Sequence, residues 1–235
     1  MFRPVLFAFL LLPATVHAAS FAPPAGCESF LTVQETGCEV SVYYRCAAEP
    51  DGHQWRVDFG INGRTYEALI DKETRWLKAY SPMTGVAKAI QPDEPDPASF
   101  SGLVATGYDS MEFSQLDTQG VTHHYKGFDR LTGETVVIDG RTLKRTAFEI
   151  IERDGEGNLV RKVTGNEYIS EEFGRFFGGR AMVEEWTGES YPADSTPIDF
   201  ILPGEPGFAS TIPLYQCNEM MSGLFPNTGG FHDQG

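Results

Sequence analysis

Turn signals punctuate this chain at short intervals. They stand at Asp51-Gly52, Asn62-Gly63, Met83-Thr84-Gly85, Thr132-Gly133, Asp139-Gly140, Asp154-Gly155-Glu156-Gly157 and Gly178-Gly179. Asn-Gly and Asp-Gly suit the tight turns that join antiparallel strands, because those turns need residues that tolerate positive φ. The runs between the turns alternate with a period of two. The sequence therefore predicts a mainly β chain: an antiparallel meander forming an open or closed barrel, with one or two short helices.

The alternation assigns faces. His53, Trp55, Val57 and Phe59 share one face of a strand, and Gln54, Arg56 and Asp58 the other. Tyr66, Ala68 and Ile70 continue the pattern, as do Met111 and Phe113 against Glu112 and Ser114. Lys144, Thr146, Phe148, Ile150 and Glu152 fall on one side. One apolar and one polar face describe a sheet covered on a single side. Two segments read as helical. Glu28 to Gln34 suits one or two turns, and Asp96 can cap a helix running from Pro97 to Ala105. Pro192, Pro197, Pro203, Pro206 and Pro213 mark residues 192–213 as irregular extended chain, and residues 222–235 read as a flexible tail.

Residues 1–18 have the order of a secretory signal: Arg3, the apolar run Val5 to Leu12, then Val16-His17-Ala18 before a cut. That leaves residues 19–221 as a single β-rich domain, periplasmic or secreted. A lipid anchor on Cys27 is disfavoured, because Pro24 stands where a lipidation box needs an apolar residue. No second apolar run is long enough to span a bilayer as a helix. Four cysteines in an exported chain, Cys27, Cys38, Cys46 and Cys217, read as two disulfides. Residues 38–46 look like one strand, whose ends would lie roughly 26 Å apart, which argues against Cys38–Cys46. Cys27–Cys38 with Cys46–Cys217 is the favoured pairing and Cys27–Cys46 with Cys38–Cys217 the second. Either one ties the C-terminal segment to the first strands. The net charge of −15 opposes binding to nucleic acid or anionic lipid surfaces.

No motif carries chemistry. Gly-x-Ser-x-Gly, His-Glu-x-x-His, a P-loop and a dinucleotide fingerprint are all missing, so neither a cofactor nor a catalytic residue is assigned. His123-His124 is the obvious metal candidate, yet neighbours on a strand point to opposite faces and do not grip one ion together. The acidic turn at Asp154 lacks the spacing of a calcium loop. What remains is an ample aromatic supply. Trp55, Tyr66, Trp76, Phe113, Tyr125, Phe148 and Trp186 are the candidates to face a ligand on a concave sheet.

Gly37-Cys38-Glu39-Val40-Ser41, Arg45-Cys46, Trp55-Arg56-Val57-Asp58-Phe59, Ala105-Thr106-Gly107-Tyr108-Asp109 and Thr132 to Gly140 resemble an uncharacterised family of exported proteins from Gram-negative bacteria. The resemblance spans most of the mature chain and implies no activity. The pattern of long strands with a helical plug is also similar to periplasmic lipoprotein carriers, whose open barrel holds acyl chains. The expected function is a periplasmic binding or carrier module for an apolar or amphipathic ligand, a small molecule or lipid. The alternative is an envelope structural or protein-interaction module with a filled core. An enzyme assembled from distant strands ranks last.

Overall fold

The computed structural model describes residues 19–217; the expected signal segment and the expected tail at 222–235 lie outside them. Ten strands run consecutively as an antiparallel meander: β1 (Cys27–Glu35), β2 (Glu39–Cys46), β3 (Gln54–Gly60), β4 (Gly63–Ile70), β5 (Trp76–Ser81), β6 (Val86–Ile90), β7 (Tyr108–Asp117), β8 (Thr122–Ile138), β9 (Arg141–Asp154) and β10 (Leu159–Gly165). A small hairpin, β11 (Tyr168–Ser170) and β12 (Arg175–Phe177), leans on β9. Beyond β10 the sheet continues with β13 (Arg180–Glu185) and β14 (Ser190–Asp194), whereas β15 (Pro197–Ile201) pairs with β1 at the opposite margin. Among the described residues one helix forms, α1 (Phe100–Thr106).

Turn chemistry sets this order. Asp139 and Gly140 join β8 to β9 with φ of 46° and 73°, the double positive φ that a type I′ hairpin requires. Thr132-Gly133, in contrast, lies inside β8. It makes a bulge between Leu131 and Thr135, so the chain continues straight on instead of reversing.

Ser195 and Thr196 alone separate β14 at one margin of the sheet from β15 at the other. The two margins must therefore meet, and the sheet curls into a barrel. Thr36 Oγ1 donates to Asp194 Oδ1 at 2.8 Å and its amide to the Thr196 carbonyl at 2.9 Å, which stitches the seam. No ladder links β14 to β15, so the barrel stays open.

The expected one-sided sheet is corrected on β1–β3. Gln54, Arg56 and Asp58 are as buried as Val57 and Phe59. Inside the barrel, the β11–β12 hairpin plugs one end and packs Phe173 and Phe177 against Leu31, Val33, Tyr43 and Phe200. Outside, residues 202–217 wrap the same strands. Ala209 donates its amide to Thr32, and Gln34 bonds to the backbone of Ile212 and Leu214. Phe21 completes the cover against Tyr44 and Phe59.

The disulfides are Cys27–Cys46 and Cys38–Cys217. This is the second of the two expected pairings, and the register explains it. Cys27 sits directly opposite Cys46 across β1–β2, while Cys38 occupies the intervening turn, where the C-terminal wrap ends. Cys27–Cys38, the favoured choice, would have had to bridge the ends of β1.

Candidate functional site

The strand register sorts the side chains into two surfaces. On the lumen side, Ala79, Lys88, Asp117, His123, Tyr125, Glu152 and Arg161 follow one another across β5 to β10. An apolar cleft lies here, walled by Trp76, Phe148, Ile150, Val163 and Val183, with Glu152 and Arg161 at its side. Its volume is about 40 Å³. That admits a few waters and no acyl chain. The β11–β12 plug and the Trp76, Phe113 and Tyr125 rings occupy further parts of the lumen.

The polar filling has a hub. Glu152 pairs with Arg161 Nε at 2.7 Å, His123 Nδ1 at 2.8 Å and Lys88 Nζ at 3.2 Å, and accepts from Tyr125 Oη at 3.2 Å. Lys88 also donates to Tyr125 at 2.8 Å. His123 reaches Asp117 through Nε2 at 3.1 Å, so each ring nitrogen faces a carboxylate and the protonated ring can donate to both. The Glu152 hydrogen bond is the main reason the His123 pKa is raised; burial opposes it. Burial alone would raise the Glu152 carboxyl, but Arg161, the His123 hydrogen bond and Lys88 outweigh it and hold it far below the carboxylate range.

A second charged set lies at the plugged end. Arg56 Nε stands 3.1 Å from Asp58, and Ser41 bonds to both Asp58 and Glu35. Arg175, fully buried on β12, lays its guanidinium 3.9 Å from the Tyr43 ring centre; burial brings its pKa down to about 10.

The outer surface of β3–β7 carries a larger hollow of about 460 Å³. Trp55, Lys78, Ala89 and Leu116 form one row across it, and Glu67, Tyr80 and Ala87 the next. Four strand spacings of ~4.8 Å make that row about 19 Å long. Trp55 is braced by parallel stacking on Tyr44, with ring centres 6.0 Å apart. The Tyr44 hydroxyl in turn donates to Glu67 at 2.6 Å.

The expected ligand-facing residues divide between these places. Trp76, Phe113 and Tyr125 form a ring cluster in the lumen, with centres 5.0–5.5 Å apart. Phe148 packs nearby on Val163 and Val183, and Tyr66 on Ala68 and Ala79. Trp55 alone faces the outer hollow. Trp186 follows β13 in an exposed turn and lines neither space. His123 and His124 point to opposite faces; His124 bonds Ser114 outside. Among the described residues, no three His, Cys, Asp or Glu are grouped to hold a metal. No helix of the described residues is long and apolar enough to cross a membrane.

Sequence reasoning missed Lys78 and Leu116, which with Tyr80 help wall the outer hollow. Lys78 and Tyr80 flank the buried Ala79, an alternation that marks an outward pair. It missed the Glu152 hub as well. The signal there was a Glu sharing a strand face with Phe148 and Ile150. No family model matches the chain, and no curated protein or solved structure matches it.

Proposed function

We propose that this chain is an exported binding module that holds a small apolar or amphipathic molecule in the outer hollow of β3–β7. The supporting observation is the hollow itself. Its volume of about 460 Å³ falls in the range of small-molecule sites, and Trp55, Tyr80, Leu116 and three alanines wall it beside the charged Glu67, Lys78, Lys88 and Asp117. The cleft in the lumen, at about 40 Å³, is too small for such a molecule. Two disulfides support the exported setting, since such bonds persist in oxidising compartments.

Trp55 is the anchor, a broad rigid ring already stacked from behind by Tyr44. Replacing it with Ala removes one wall. A neutral apolar dye such as N-phenylnaphthylamine should bind the wild type saturably, and Trp55→Ala should weaken it about three- to tenfold. If no apolar dye saturates the wild type, the reading fails.

The small size of the lumen cleft favours a second reading, an envelope interaction module with no small ligand. Crosslinking in intact cells separates the two. A specific crosslinked partner combined with no dye binding would select the second.

A further inference from the structure

We infer that the molecule held in this hollow is an anionic amphiphile whose head group pairs with Lys78. This rests on the outer hollow being the binding site.

Charge matching around the hollow points to it. Glu67 receives the Tyr44 hydroxyl and pairs with Arg64 at 3.1 Å. Asp117 takes two backbone amides and His123, and Lys88 is drawn into the lumen by Glu152. Lys78 is the charged wall residue left over. The chain has six lysines and 33 acids. Four lysines hold a carboxylate: Lys88, Lys126, Lys144 and Lys162. Lys72 lies beside Glu73 and bears on its charge. Lys78 has no ion-pair partner among the described residues. Its ammonium instead stands 5.9 Å from the Trp55 ring centre.

A cation left unmatched in so acidic a protein, set in an apolar trough, suits a ligand that brings its own negative charge. The trough sets the ligand's orientation. The head lies between Lys78 and Trp55, and the apolar body runs over Tyr80 and Ala89 toward Leu116. A neutral molecule would forgo the ion pair. A cationic one would meet Lys78 as a like charge and be turned away.

A chain-matched pair of probes tests this: dodecanoate and dodecanol, each titrated at pH 8 and below its aggregation limit by displacement of the neutral dye. Dodecanoate should bind the wild type about five-fold tighter than dodecanol, and the gap should narrow as salt rises. Lys78→Gln should erase the gap and leave dodecanol within about two-fold of its wild-type affinity, since an exposed lysine contributes little to the fold. Lys78→Glu should invert the order. Equal binding of the two probes, or a preference that survives in Lys78→Gln, would overturn the anionic assignment and leave the hollow standing as an apolar site. Binding of neither probe would overturn both.

Discussion

Asp129 shows what a single residue costs inside this barrel. It lies on β8 directly opposite Asp109 on β7, with one carboxyl oxygen buried and without a partner. Burial, then the Asp109 charge, push its pKa up to about 7, against a smaller opposing contribution from a Thr146 hydrogen bond. An unfolded Asp titrates near ~3.9. The native state therefore keeps a proton that the unfolded state releases, and stability falls as pH rises from about 4 to about 7. Asp129→Asn removes the titration. It should unfold at higher urea than wild type at pH 8, by roughly 1–3 kcal/mol, with the advantage vanishing near pH 4. Urea curves at the two pH values check this. The face of Asp129 follows from alternation, as does that of Glu152 or His123. Their partners do not, because each comes from a strand brought alongside by pairing. That is why the Glu152 hub was invisible in the sequence while its Phe148-Ile150 face was plain.

At the scale of elements, strands flanked by turn residues were legible and doubly covered ones were not. Glu28 to Gln34 reads as a helix because Leu31, Thr32, Val33 and Gln34 show no period of two. All four are buried in β1, between the plug and the C-terminal wrap. The helix after Asp96 exists but starts later. Asp96 pairs its backbone with Glu112 and receives the Ser110 hydroxyl, so Ser99 caps α1 instead, accepting from the Gly102 amide. The proline-rich stretch also yields β14 and β15. Pro197 opens a strand that pairs only with β1, where its missing donor is tolerated. Close strand contact has a price of its own at Gly127 on β8. A Cβ there would collide with the Glu149 carbonyl and Ile150 of the neighbouring β9. Gly127→Ala should therefore destabilise the fold by about 1–3 kcal/mol. Val137→Ala, at an exposed site on the same strand, should change it by less than about 0.5 kcal/mol. Thermal melts of both variants test the contrast.

For the whole molecule, the cysteine count announced two bridges, and register decided between the pairings. The bridges close loops of very different span. Cys27–Cys46 joins residues 19 apart, and Cys38–Cys217 residues 179 apart. By chain entropy the first stabilises by about 3 kcal/mol and the second by about 5. The paired change Cys38→Ser with Cys217→Ser should therefore lower the urea midpoint more than Cys27→Ser with Cys46→Ser. An equal or reversed order would show that the wrap of residues 202–217 holds without its clip. The outer hollow is a property of this same scale. Its walls come from five strands, and no short stretch of sequence carries its shape. Trp55 was singled out for being aromatic, not because its partners were foreseen.

The Cys38–Cys217 bridge also makes the chain a ring in the mechanical sense. A tension applied between residues 19 and 217 runs through the first strands to Cys38 and crosses there to Cys217. Fewer than about 20 residues lie in its path, so the ends separate by roughly 7 nm before the line is taut, against about 70 nm for the reduced chain. Strands β3 to β15 lie off the line of force. The outer hollow of β3–β7 sits in a part of the molecule that such a pull does not load.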